Sequence, residues 1–391
     1  MTEERIVLSV RIALLVSIEL GGIGRCCKEL ICALNERDNG NEYFIFYPEG
    51  VFPVKLKKKF KVVPIKGRSF QKGVLEPLFS WRQFELPQVI KSEKIDILHS
   101  LCDPLPLAIV PCKTIITIND LSFTRKIPIG HPSVVSRTFS KWIFASAKIA
   151  DRIIVPSNFT REDIIKRINV QKDKIDVIPW GVSSLFVGRE KLEDLSEFKR
   201  DYEIAQKTIL CVSEIIPRKN IIRLLMAFNR IKERVPHDLI IVGHEKYPEL
   251  YKKFYLDVKR IIEKLKIKKR VKVFCDLSDS DLLYMYHGAD IFIYPSLFEG
   301  FGLPVLEAMS CNVPVICSKS SSLPEIAGNA SILVFPYSID SIANAMLGLI
   351  YNQSEKDRLA REGFARAKRF SWVTTADRTL RLYSEVLREK H

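Results

Sequence analysis

Two glutamates eight positions apart, Glu299 and Glu307, bracket the segment Glu299-Gly300-Phe301-Gly302-Leu303-Pro304-Val305-Leu306-Glu307. An apolar run ends at Pro295 just before it, two glycines permit a tight loop, and an apolar helix begins near Gly302. Backbone N–H groups are thereby presented at a helix N-terminus, where phosphate or a sugar hydroxyl binds. The spacing directs both carboxylates toward one bound ligand. A second segment, Ser213-Glu214-Ile215-Ile216-Pro217-Arg218-Lys219-Asn220, also follows an apolar run and opens a helix. Its adjacent cations, Arg218 and Lys219, suit a diphosphate, because their charge-assisted hydrogen bonds add to the positive end of the helix. A third, Gly21-Gly22-Ile23-Gly24-Arg25, precedes an amphipathic stretch at Cys26–Leu34 and lets backbone amides approach a phosphate.

These groups need a scaffold. In the second half, short apolar runs at Thr208–Val212, Leu239–Val242, Val271–Phe274, Ile291–Tyr294, Val313–Cys317 and Ser331–Phe335 alternate with helical stretches such as Asn220–Arg234, Tyr247–Lys266 and Ser280–His287. That alternation predicts βαβ units on a parallel sheet. The first half repeats it less regularly, with strands expected at Arg5–Val10, Tyr43–Tyr47, Lys61–Pro64, Ile95–His99, Lys113–Thr117, Arg152–Val155 and Lys174–Ile178. At about 150 residues per domain, 391 residues make two large domains rather than one core. The boundary is expected within Trp180–Glu203, giving domains 1–185 and 204–370. The apolar face of Ser371–Lys390 predicts one long helix, and residues 371–391 are expected to pack back on the first domain.

The Glu-x7-Glu spacing, together with Gly-Phe-Gly-Leu-Pro and Leu-Glu-Ala-Met, resembles the signature of the retaining glycosyltransferases of family 4. Arg218-Lys219-Asn220, the glycine segment with Arg25, Asp151–Asp163, Pro179-Trp180-Gly181-Val182, Val242-Gly243 and Ser322-Leu323-Pro324-Glu325-Ile326-Ala327-Gly328 follow in the family's order. The resemblance covers nearly the whole chain. It implies the α/β GT-B fold, two doubly wound Rossmann-like domains with an interdomain active-site cleft. It also implies transfer of a hexose from a nucleotide-diphosphate sugar with retention, without a metal or other cofactor. Arg218 and Lys219 would bind and stabilise the leaving diphosphate, Glu299 would hold donor-sugar hydroxyls, and Glu307 the ribose. Gly21, Gly22, Ser213, Gly243, Gly300, Phe301, Gly302 and Leu303 would complete the donor site. Asp120 is a further catalytic candidate, and Asn119, Arg25 and His99, the last at the end of a predicted strand, are candidates for acceptor or sugar contacts.

The nearest type within the family is the mannosyltransferases of surface polysaccharide assembly. That implies GDP-mannose as donor and a glycan or lipid-linked acceptor; UDP- or ADP-sugars are the alternative donors. Two positions depart from the pattern. Asn119-Asp120-Leu121-Ser122-Phe123 has Asn where His is usual, removing a group that exchanges protons near neutral pH. Cys275 replaces the usual glycine at a turn that contacts the base.

The formal charge of +15 calls for an anionic partner. No RRM, KH, zinc or helix-turn-helix pattern is present, so nucleic acid is not expected. A nucleotide-sugar 2-epimerase would share the architecture but not this Glu-x7-Glu loop, and a non-catalytic partner subunit would not need all four of Arg218, Lys219, Glu299 and Glu307. Lys55, Lys57, Lys58, Lys59 and Lys61, with the aromatic stretch Phe70–Phe84, suggest an anionic membrane surface. Nine cysteines without a CxxC pair read as reduced thiols, and the apolar stretch Ile6–Ile18 is broken by Arg11. The expected location is cytoplasmic, peripheral on the inner leaflet.

Overall fold

The computed structural model describes residues 10–16, 22–38, 40–47, 54–64, 81–101, 104–125, 133–187, 195–243 and 249–389. The chain divides into two compact units, Met1–Leu121 with Val134–Gly181 and Trp372–His391, and Ser122–Ser133 with Val182–Ser371.

The first unit holds a seven-stranded sheet ordered β3-β2-β1-β4-β5-β6-β7. Its strands are β1 (Arg11–Leu15), β2 (Glu42–Tyr47), β3 (Phe60–Pro64), β4 (Ile97–Ser100), β5 (Lys113–Thr117), β6 (Arg152–Val155) and β7 (Ile175–Val177). The second holds six strands ordered β10-β9-β8-β11-β12-β13. These are β8 (Thr208–Val212), β9 (Asp238–Gly243), β10 (Val271–Cys275), β11 (Ile291–Tyr294), β12 (Val315–Ser318) and β13 (Ser331–Val334). Every pairing is parallel.

A parallel sheet covered by helices makes its strands apolar on both faces. All four residues of β11 are accordingly buried. The helix Ile221–Ile231 turns Ile221, Leu224, Leu225, Phe228 and Ile231 inward, the 3.6-residue period of a single buried face. Those side chains meet Val258 and Ile262 from the helix Glu249–Lys264 and Met346 from the helix Ile339–Ile350. In both sheets the first strand is interior, so crossovers leave in opposite directions on either side of it. The carboxyl ends of β1 and β4, and of β8 and β11, are therefore the switch points beside which doubly wound sheets bind ligands.

Three expectations change. The first strand lies at Arg11–Leu15 rather than Arg5–Val10; residues 5–9 fall outside the described residues. Arg11 stands at the rim of the sheet, its guanidinium donating to the Glu93 carbonyl and pairing with Glu42, so the charge inside the apolar stretch starts the strand instead of interrupting it. The helix expected from Cys26 begins at Gly22 and runs to Arg37, so Gly22, Ile23 and Gly24 form its first turn. Finally, Ser122–Ser133 groups with the second unit, where the Arg125 guanidinium lies 4.5 Å from the centre of the Phe298 ring.

The helix Trp372–Arg388 belongs to the first unit. Trp372 stacks on Trp180, Thr375 donates to the Pro179 carbonyl, and Asp377 pairs with Arg37. Among the described residues no helix is long and apolar enough to cross a membrane, and the cysteines are all free.

Candidate active site

At the switch point of the second sheet, the turns leaving β8 and β11 are tied together by Leu297 N–H donating to the Arg218 carbonyl at 2.8 Å. Pro217–Lys219 forms one tight turn. Asn220 follows with φ +63°, a left-handed conformation that Asn tolerates, and its side-chain amide donates to the Pro295 and Pro336 carbonyls. Arg218 and Lys219 are thus fixed toward the end of β11.

Both cations meet Glu299. Arg218 Nη1 lies 3.0 Å from Glu299 Oε2, and Lys219 Nζ lies 2.7 Å from Oε1. The Tyr294 hydroxyl accepts from Lys219 Nζ at 2.7 Å and donates to Glu299 Oε1 at 3.1 Å. Ser296 Oγ donates to the same carboxylate oxygen at 2.6 Å. Glu299 is 7% exposed and Lys219 8%. Burial pushes the Glu299 carboxyl up, but Arg218, Lys219 and the hydrogen bonds from Lys219 and Ser296 outweigh it and hold it down at about 2. Burial, then repulsion from Arg218, pulls Lys219 below its ordinary value against the attraction of Glu299. Burial, and then Glu299, keeps the Tyr294 phenol protonated.

A serine run braces the loop from the far side. Glu299 N–H donates to Ser321 Oγ, while Ser322 Oγ reaches the carbonyls of Glu299 and Phe301 and Ser320 Oγ that of Ser296. Gly302 turns the chain into the helix Leu303–Ser310 at φ +117°, and a Cβ there would lie 2.6 Å from Leu323 Cδ2. Only glycine meets both conditions. Phe301 packs edge-on against Phe370. Glu307, in the following helix, is buried and accepts from the Tyr286 hydroxyl at 2.8 Å. The two glutamates are therefore held separately, Glu299 by cations and Glu307 by a phenol, instead of both standing open to one ligand.

The remaining expected residues are distributed as follows. Ser213 follows β8 and Gly243 ends the neighbouring β9, with Ser213 N–H donating to the Val242 carbonyl, and Gly300 and Leu303 lie in the braced loop and the start of its helix. Gly22 is exposed in the first turn of its helix, with nothing within 4 Å of an added Cβ, and Arg25 is half-buried on the same helix; Gly21 lies outside the described residues. Asp120 is half-buried beyond β5. The Asn119 side-chain oxygen accepts from Trp180 Nε1, so this residue positions an aromatic where the family pattern has an exchangeable ring. His99 corrects its expectation. It is fully buried, with Nδ1 2.7 Å from the Tyr383 hydroxyl and Nε2 2.8 Å from Thr117 Oγ1. Burial pushes it down to about 3, which makes it a neutral core histidine with no nitrogen left for an acceptor.

Sequence reasoning missed Tyr294, Ser296, Tyr286 and the serines at 320 and 321. Tyr294 reads as one more apolar strand residue. The run Ser318-Lys319-Ser320-Ser321-Ser322 was the available signal, because clustered small hydroxyls are suited to capping backbone groups, although the sequence does not place them beside the glycine loop.

Residues 194–366 match the model for glycosyl transferases group 1, and residues 20–184 that for glycosyltransferase family 4. The O-antigen chain mannosyltransferase B of Escherichia coli is 33% identical over 276 residues, 69% of this chain and 70% of that one. The serotype-specific mannosyltransferase WbdA of Escherichia coli is 27% identical over 291 residues, 72% of this chain but 35% of that longer protein. The crystal structure of Anabaena HepE in complex with UDP and glucose superposes with a TM-score of 0.75 at 18% identity, covering 96% of this chain and 100% of that one. The chain belongs to the group 1, family 4 glycosyltransferases, is a glycosyltransferase, and has their GT-B fold of two Rossmann-like domains.

Proposed function

We propose that the enzyme transfers mannose from GDP-mannose to a glycan or lipid-linked acceptor in cell-surface polysaccharide synthesis, with retention of configuration and without a metal ion. The observation that carries this reading is the pairing of Arg218 and Lys219 with one buried carboxylate, Glu299, at the carboxyl ends of β8 and β11. The mannosyltransferase names of the relatives support the sugar.

Breaking the bond between a sugar and a diphosphate builds positive charge on the anomeric carbon and negative charge on the leaving phosphate. Arg218 and Lys219 would stabilise the leaving diphosphate, the kind of preorganised electrostatic help that dominates many catalysed reactions. Glu299 would accept hydroxyls of the sugar and Glu307 those of the ribose. The exposed Lys55, Lys57, Lys58 and Lys61, with Phe84, support peripheral attachment to an anionic leaflet; Trp81 and Arg82, from the same aromatic stretch, are buried and contribute nothing to it. Flotation with anionic liposomes checks that attachment.

A panel of GDP-, UDP- and ADP-sugars, read first by thermal shift and then by release of the nucleoside diphosphate, tests the donor. GDP-mannose is expected to stabilise the enzyme and be turned over with a polysaccharide-type acceptor. Stabilisation by a UDP- or ADP-sugar alone would replace the donor, and by none would sink the reading.

A further inference from the structure

In the structure as it stands, both oxygens of Glu299 are engaged, and Arg218 Nη1 donates to the Phe298 carbonyl as well as meeting the carboxylate. Oε2 takes the Arg218 guanidinium, and Oε1 takes Lys219, Tyr294 and Ser296. A carboxylate engaged in this way has little room for sugar hydroxyls, and cations paired with a buried carboxylate must turn from it to meet a diphosphate in full. The roles proposed above cannot both be filled without rearrangement. Resting on that reading, the geometry points to an exchange: the donor's diphosphate and Glu299 compete for Arg218 and Lys219, and Tyr294 and Ser296 are positioning residues that keep Glu299 in place once the cations turn away.

The chemistry favours that order. A diphosphate brings more negative charge than one carboxylate and offers bidentate oxygens to the guanidinium fork. When Arg218 moves to it, Glu299 Oε2 is vacated and accepts from a sugar hydroxyl. Oε1 keeps the donated hydrogens of Tyr294 and Ser296, neither of which carries charge that a phosphate could attract. The Ser321 and Ser322 contacts to the Glu299 backbone are also untouched by the exchange. The diphosphate would in this way release the carboxylate that the sugar requires, and a free sugar without a diphosphate would find Glu299 occupied.

The experiment titrates GDP and UDP, without sugar, into the wild type and the variants Glu299→Gln, Tyr294→Phe and Arg218→Gln by calorimetry, alongside donor turnover. Removing the competing charge is expected to tighten nucleoside diphosphate binding by about tenfold in Glu299→Gln while transfer collapses. In Tyr294→Phe, GDP affinity should stay within about threefold of the wild type, while kcat falls at least about tenfold with KM little changed, a split that lost packing alone does not produce. Glu299→Asp draws the carboxylate back by one methylene and serves if the glutamine variant does not fold; it too should bind GDP more tightly. Equal or weaker diphosphate binding by both Glu299 variants would overturn the exchange. So would a Tyr294→Phe enzyme with wild-type kcat, as far as the positioning role is concerned. Arg218→Gln separates this from the parent reading: if its affinity for GDP and UDP equals that of the wild type, the diphosphate seat itself is wrong and the exchange falls with it. If it binds weakly and the Glu299 variants do not tighten, only the exchange fails.

Discussion

Lys219 Nζ stands 2.7 Å from Glu299 Oε1 with both side chains buried, 80 positions apart in the chain. Neither charge has bulk water to fall back on, so each depends on the other and on the Arg218, Tyr294 and Ser296 groups around them.

Removing one member is therefore expected to be costly to the fold as well as to catalysis. Lys219→Met leaves Glu299 with one cation and should lose about 3 kcal/mol or more of stability, as for a broken buried pair. Transfer should drop by about 100- to 1,000-fold, the usual effect of deleting one preorganised donor to a developing anion. Urea unfolding and initial-rate assays on the same preparation check both.

Gly302 is the position where backbone and packing agree on one residue. Gly302→Ala must adopt φ +117° and push a methyl to 2.6 Å from Leu323 Cδ2. A loss of about 1–3 kcal/mol is expected, with turnover falling because the loop that carries Glu299 shifts. Adding Leu323→Ala relieves the contact but not the dihedral, so the double variant should recover only part of the loss; full recovery would show that packing alone enforces the glycine.

Tyr286→Phe takes from Glu307 a donor at 2.8 Å without changing the ring. The expected result is about 1 kcal/mol lower stability and a higher KM for the donor with kcat nearly unchanged, since Glu307 is assigned to the ribose and not to the reacting carbon. An unchanged KM would remove Glu307 from the donor site.

His99 sets an acid limit on stability. Its ordinary value is 6.5 and burial pushes it to about 3 in the folded chain, so below pH 6.5 only the unfolded chain takes up this proton. The stability that His99 confers is present above pH 6.5 and is lost as pH falls toward 3, at about 1.4 kcal/mol per pH unit. Glu299 has the same sign but acts lower, between 4.5 and about 2. Between pH 6.5 and 5, His99→Gln should therefore flatten the dependence by about 2 kcal/mol. His237, also held down by burial, keeps its own contribution of the same sign. Urea midpoints at half-unit pH steps give the slope, and an unchanged slope contradicts the buried neutral ring.

The strands of the second unit were legible because a parallel sheet buries both faces and leaves short unbroken apolar runs; Thr208–Val212 and Ile291–Tyr294 fall where the pattern places them. Glu299, Arg218 and Lys219 were legible as chemistry, since their residue types and glycine-rich surroundings are local signals. Their pairing was not. It joins turns at the ends of two adjacent strands, and nothing in either segment alone says that the charges face each other. His99 was misread for the converse reason. The sequence places it at a strand end, but its partners, Thr117 and Tyr383, come from a neighbouring strand and from the last helix. The helix at Gly22 started early because glycine tolerates a first helical turn, where N–H groups have no intrahelical partner in any case.

Asn220 holds the Pro336 carbonyl across 116 positions, and Lys219 waits 80 positions for Glu299. On a translating ribosome adding about 5–20 residues per second, that second interval lasts roughly 4–16 seconds. Throughout it the newly made Pro217–Asn220 segment has only Glu214 nearby to offset its two cations and lacks the strand end on which it is to close. The nascent chain thus spends seconds with its most charge-demanding turn unfinished, and refolding of the purified enzyme is expected to be limited by these distant closures and not by any one helix.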